Sequence, residues 1–488
     1  MNGTLTKGIR TYGHLFPAGK GKLLLTGVLF LFLAGSMHAQ QSNTLFLLHS
    51  IPQSNQLNPA VQLKCKWFIG IPLLNTMHVN YSNSSFTYND LADGTAVALD
   101  DVYSRLNRMN MISAEAIAYP VSLGYRDGTN YYTFSVADRF MTYHSFTKKM
   151  ASVLLYGNAQ FIGETARFNN TRFNATYFRQ YSAGWSVKYD RFTTFGVRGK
   201  LLFGKGSLHT GSSRIRLGTD IETFALNMTG DVTFNSSFPL VLTQNSAGAI
   251  TDIQLQEVEY LSLLMNPRNV GLAADIGVIH TYSNNITLSA SLLDVGAILW
   301  TDDVYNIEAE VDFVYEGAGE GTDFSVAAYY RDLSDSIASD IIYDVTTRPY
   351  VSALPTQLIL GGSYQYNEHV SLGAVVRNML VNRRLSSSIT ASVNVSLIDR
   401  FQGSLSWSYL NNTPLNVGAG LAYTGRGMQV YAVTDNFLGF FRPLDTRTLN
   451  FRFGMNLMLG CPVKYNRAPG DERFMVPCPP GALKKIRK

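Results

Sequence analysis

The sequence predicts an all-β fold, a transmembrane antiparallel β-barrel of about 14 strands with an N-terminal plug and short helical insertions. Three observations lead there. Apolar and polar residues alternate along runs of about ten residues, the length of a tilted strand crossing a bilayer. The phase opposite the apolar one is small and polar, where a soluble sheet facing water would carry Lys and Glu. An export signal stands at the head of the chain.

Successive side chains of an extended chain point to opposite faces. In Asn269–Ile298, Val270, Leu272, Ala274, Ile276 and Val278 share one face, while Gly271, Ala273, Asp275 and Gly277 share the other. After the break at Ser283-Asn284-Asn285, Ile286, Leu288, Ala290 and Leu292 alternate with Thr287, Ser289 and Ser291. This is an antiparallel hairpin with one greasy face and one small, polar face that suits a crowded interior. Tyr181, Ala183, Trp185 and Val187 repeat the pattern, and an Asp190-Arg191 turn leads to Phe195, Val197, Leu201 and Phe203. Ile389 to Leu397, Phe401 to Tyr409 and Leu449 to Leu459 follow the same rule. In lipid such strands must close into a barrel, because an open edge would leave backbone groups unpaired. On this phasing Asp294 falls on the lipid side at a strand end and reads as part of an interfacial turn.

The 488 residues are 46% hydrophobic, 15% charged and 12% aromatic, which fits one barrel better than two or three soluble domains. The 27 Tyr and 28 Phe suit aromatic girdles at the two interfaces, with Tyr181, Tyr189, Trp300, Tyr409 and Tyr423 near strand ends. The formal charge of +5 overstates the mature chain, because Lys7, Arg10, Lys20 and Lys22 lie in the leader. No nucleic-acid footprint remains.

Four regions are expected. Residues 1–39 read as a Sec signal peptide: Lys20 and Lys22 precede an apolar run, Leu23 to Gly35, too short to span a membrane, and cleavage falls after Ala39. Residues 40–115 read as a plug-like region, in which Asp100 caps a helix with Val102, Leu106 and Met109 on one face. Residues 116–460 are the barrel. Helical insertions are expected at Phe146, Met150, Val153 and Leu154, and at Tyr329, Leu333, Ile337 and Ile341. Gly317 to Gly321 is loop punctuation. Residues 461–488 form a periplasmic tail, bracketed by Cys461 and Cys478. A disulfide between those two is one of two open readings and would contribute about 3 kcal/mol by loop entropy. It leaves Cys65 unpaired.

The opening "AQQSNTLFLLHSIPQSNQLNPAVQLKCKWFIGIP", then "NYSNSSFTYNDL" and "SASLLDVGAILW", resembles a domain-of-unknown-function family of outer-membrane β-barrels from Bacteroidetes. That family is similar to the FadL-like fatty-acid transporters and to the PorV and PorP barrels of type IX secretion. The resemblance implies a fourteen-stranded barrel with an N-terminal hatch, placed in a Gram-negative outer membrane. The short "NPA" at Asn58-Pro59-Ala60 looks like an element of PorP-type chains. No ligand-binding residue carries over.

The inward phase gathers Arg126, Lys188, Arg198, Lys200, Arg377 and Arg452 against Asp275. A functional reading makes this a basic lumen that attracts anionic solutes such as fatty-acid carboxylates. A structural reading pairs the bases with plug acids such as Asp90, Asp93, Asp100 and Asp101. No catalytic elbow, zinc helix or phosphate loop is present, and His144, His280 and His369 are scattered, so no enzyme, metal or cofactor is expected. Two functions survive. One is a barrel that binds or transports a small hydrophobic or amphipathic ligand. The other is an interaction barrel that serves a secretion or surface-attachment assembly.

Overall fold

The computed structural model describes residues 42–461, apart from 93–95, 158, 224, 239, 245–249, 256–266, 316–340, 382–383, 399, 411–412 and 426. The leader, Cys478, Asp93, the Gly317 loop and the helix expected from Tyr329 lie outside the described residues, except that helix's last residue, Ile341, which begins a strand.

Fourteen staves, in chain order, make one antiparallel sheet. They are β1 (Trp67–Gly70, resumed at Met77–Asn83), β2 (Met109–Asp127), β3 (Asn130–Thr147) and β4 (Thr165–Arg167, then Arg172–Lys188). Next come β5 (Thr193–Thr219), β6 (Leu226–Ser237, then Asn269–Thr281), β7 (Ile286–Trp300, then Val304–Tyr315) and β8 (Ile341–Thr346, Tyr350–Ala353 and Thr356–Gln365). The wall is completed by β9 (Val370–Val381), β10 (Arg384–Ile398), β11 (Phe401–Leu410), β12 (Thr413–Thr424), β13 (Met428–Thr434) and β14 (Thr448–Leu459). Pairing of β14 with β1, Met458 opposite Phe68 and Phe451 opposite Val79, closes the cylinder and leaves no long edge. The wall therefore begins at Trp67, inside the region assigned to the plug, and not at Ala116. That opening stave is easily missed because Ile71–Thr76 interrupts it.

One end carries tight turns and the other long loops. Asp190 shows how a tight turn is held: its carboxylate accepts the Phe192 and Thr193 backbone amides, both at 2.6 Å. At the other end lie the helices α1 (Tyr88–Ala92), α2 (Ala96–Arg105) and α3 (Lys148–Tyr156). Val102 and Leu106 are buried beneath α2, and the Thr147 hydroxyl caps α3 by accepting the Met150 amide at 3.1 Å.

The alternation read from the sequence is the alternation of the wall. Leu272 is 67% exposed and Asp275 1%. Leu288, Leu405, Trp407 and Leu421 extend the outward apolar band, and Tyr189, Tyr282, Tyr366 and Tyr423 rim it at the tight-turn end. A closed sheet with such an outer face is a transmembrane barrel.

Several bulges break the period, and two of them shape the interior. In β7, Ala274 faces Val295 while Ile276 faces Leu292, so Leu293 and Asp294 together oppose Asp275. Asp294 takes φ 58°, the left-handed conformation that Asp tolerates. The extra residue moves the inward phase from Ser291 and Leu293 to Asp294, Ile298 and Trp300, all buried. Two expectations are thereby corrected: Asp294 lies inside the barrel and not at a lipid-side turn, and Trp300 is an interior side chain and not a girdle residue. In β2, Tyr119 and Pro120 oppose Ala137 alone, and the inward phase passes from Ser113 and Glu115 to Ser122.

Ser42–Leu63 runs along the inward face of the wall and is almost wholly buried. Its Leu45, Phe46, Leu48, Ile51 and Leu57 pack with inward Ile359, Val375 and Tyr431. The small wall residues make room for it. A Cβ on Gly277 would lie 2.1 Å from Asn58 Oδ1, and one on Gly196 2.3 Å from the Pro59 backbone.

Cys461 is bonded to Cys65, which replaces the open reading of a bond to Cys478 and corrects that of Cys65 as unpaired. The reason is register. Trp67 opposes Leu459, so two residues further out the antiparallel ladder brings Cys65 opposite Cys461.

Candidate functional site

The inward carboxylates and bases form one chain of ion pairs across five staves. Arg139 of β3 reaches Glu115 of β2 at 3.2 Å and Asp294 of β7 at 3.1 Å. Lys200 of β5 links Asp294 at 2.6 Å to Asp275 of β6 at 2.7 Å, and Asp275 also takes Arg198 at 3.1 Å. All six residues are buried, where a charge persists only with partners of this kind. The phase shift at Asp294 completes the chain.

Arg198 of this chain and four further bases differ in what they hold. Arg198 donates to the Asn55 carbonyl at 2.6 Å and to Asn55 Oδ1 at 2.5 Å, so it ties the inward segment to the belt. Arg452 donates to Gln56 Oε1 at 2.8 Å and to Ser42 Oγ at 3.3 Å. Arg377 turns Nε to Gln357 Oε1 at 3.1 Å, with Nη2 on the same oxygen. Arg126 and Lys188 sit at the tight-turn end, where Arg126 donates to Gln62 Oε1 at 2.9 Å. Of the six bases singled out in the sequence, Arg198, Lys200, Arg377 and Arg452 are buried near the middle of the wall, and Arg126 and Lys188 are half-buried at the tight-turn end.

Their expected partners differ. Asp90 and Asp101 pair with Arg105, and Asp100 accepts the Tyr156 hydroxyl at 2.7 Å, all at the long-loop end. The acids that neutralise the lumen stand on the wall. Arg139 escaped the sequence reading although Phe134, Val136 and Phe140 mark the outward phase beside it. Glu115 lies in β2, ahead of the expected barrel start at Ala116.

Above the belt, toward the long loops, the inner face turns apolar. Phe178, Leu202, Ile298, Trp300, Met379 and Val381 are buried together. Gly204 admits the Trp300 indole, since a Cβ there would lie 2.4 Å from the ring, and the indole N–H donates to Ser352 Oγ at 2.8 Å. Between the belt and the inward segment is a cavity of about 70 Å³, reached by Gln53, His78, Glu115, Arg377 and Arg452. Its charged groups and small size suit water and small ions.

Fold and interior define a class: a fourteen-stranded transmembrane barrel whose own N-terminal residues occupy its lumen. Within that class the chain belongs to DUF5723, a family of unknown function whose model matches residues 59–435. No curated protein matches it. Among solved structures it is similar to the Ralstonia pickettii toluene transporter TbuX, at 9% identity and TM-score 0.39, covering 84% of this chain and 94% of that one. It is similar also to a Pseudomonas aeruginosa FadL homologue, at 10% identity and TM-score 0.37, covering 88% and 97%. The translocator domain of the autotransporter NalP from Neisseria meningitidis matches at 10% identity and TM-score 0.27, covering 86% and 100%. At this distance no ligand transfers from any of them.

Proposed function

We propose that this chain, exported by its leader to a Gram-negative outer membrane, binds and passes a small hydrophobic or amphipathic molecule. The observation that carries the reading is the apolar layer inside the upper lumen. An aqueous pore has no use for Phe178, Leu202, Ile298 and Met379 on its inner face, whereas a receptor for apolar solutes needs them. The ionic belt beneath supplies donors for a polar head group, and movement of Ser42–Leu63 would open the route. Catalysis has no part in this reading.

Native mass spectrometry of the detergent-purified protein tests it. Release of a lipid or apolar metabolite, lost in Leu202→Gln, supports the proposal. A protein that carries nothing, and takes up no apolar solute, ends it.

A second reading has its own support. The lumen is filled by Ser42–Leu63 and the belt, which suits a barrel that docks a secretion or surface-attachment partner through its loops. A stoichiometric protein partner without ligand would favour it.

A further inference from the structure

The lumen holds more positive charge than its own acids neutralise. Around the cavity stand Arg139, Arg198, Lys200, Arg377 and Arg452, against Glu115, Asp275 and Asp294. The three carboxylates are consumed by the first three bases. Among the described residues, neither Arg377 nor Arg452 makes an ion pair. Asp435 is the next acid; its oxygens take the Thr44 amide at 2.8 Å, the Thr44 hydroxyl and Asn450 Nδ2, and its charge acts on Arg377 without an ion pair, so the five bases still exceed the four acids by one.

The unused donors are specific. Arg377 Nη1 and Arg452 Nε are buried without a hydrogen-bond partner, as is His78 Nδ1, and all three side chains reach the cavity. Arg377 and Arg452 are 4% and 5% exposed, and each acts electrostatically on the other and on His78. Two guanidiniums buried around one cavity in a low-dielectric lumen repel, and an anion in that cavity reduces the repulsion and takes the open N–H groups. Guanidinium forks match the oxygens of an oxyanion.

We propose that the cavity between Arg377, Arg452 and the inward segment binds one small oxyanion, a carboxylate or an inorganic phosphate. The site is lined by residues other than those of the apolar layer and stands whether or not the barrel transports anything. Because Arg452 already holds Gln56 and Ser42, the anion acts as a clamp that fixes the inward segment to the wall.

The test is thermal unfolding of the full chain in a neutral detergent, titrated with sodium acetate or sodium phosphate against sodium chloride at constant ionic strength. A saturable rise in the unfolding midpoint is expected with at least one oxyanion, and which salt acts tells a carboxylate site from a phosphate site. Arg377→Gln should weaken the apparent affinity at least tenfold, Arg377→Lys less, and Lys188→Gln at the tight-turn end not at all. Absence of a saturable rise in the wild-type protein overturns the proposal even if the Arg377 variants do not fold. An equal rise in Arg377→Gln also overturns it.

Discussion

The Asp294 carboxylate accepts the Lys200 ammonium at 2.6 Å and the Arg139 guanidinium at 3.1 Å, although strict alternation along its strand would set it in lipid. One extra residue opposite Asp275 turns it inward. The bulge is therefore the device by which a lipid-facing sequence position becomes the link between two buried cations.

Asp294→Asn tests that role. The substitution leaves Arg139 balanced by Glu115, while Lys200 and Arg198 share the single charge of Asp275, so one buried positive charge is uncompensated. Removing one partner from a buried network costs about 3–5 kcal/mol. The urea midpoint of the detergent-folded barrel should fall accordingly, and an unchanged midpoint would show that the belt is not a structural network.

Gly277 and Asn58 make a second test. A side chain at Gly277 has no space while Asn58 and Pro59 lie on the wall, so Gly277→Leu should expel the inward segment without closing the barrel. Limited proteolysis should then cut within residues 42–63, where the wild-type chain is protected. Gly199→Leu is the control, since a Cβ there meets nothing within 4 Å. Equal protection in both variants would refute the packing.

The disulfide gives a third. Cys65 and Cys461 join the first stave to the last, across a sequence separation of 396 residues. Loop entropy of that length stabilises by up to about 5 kcal/mol. Cys65→Ser and Cys461→Ser should lower the unfolding midpoint alike, and alkylation of the unreduced protein should modify neither residue. Modification of Cys65 without reductant would remove the bond.

The legible part of this protein was its period. Leu272, Ile276, Leu288 and Leu405 face outward as their spacing requires, and the inward bases Arg198, Lys200, Arg377 and Arg452 follow from the same count. What stayed hidden lay past a bulge or a break. A bulge leaves no local composition signal, so Asp294 and Trp300 were assigned to the wrong face. Cys65 was misjudged for a related reason: its partner is fixed by closure of the sheet, a relation between two ends of the chain. The ion-pair chain needed both facts, because its acids come from Glu115 and Asp294.

His49 extends these relations to pH. It follows Leu48 in the inward segment, outside the wall strands, and its Nε2 is buried without a partner. Burial lowers its pKa from 6.5 to about 4, against a smaller opposing effect of its hydrogen bond with the Phe46 backbone. The folded state therefore keeps His49 neutral where the released segment would already take up a proton. Its stabilising contribution is complete above pH 6.5 and is lost as the pH falls toward 4. Protection of residues 42–63 from protease should weaken across that window, and His49→Gln should flatten the dependence. If wild type and variant lose protection in parallel, another group drives the change, and acid release of the segment cannot be assigned to His49.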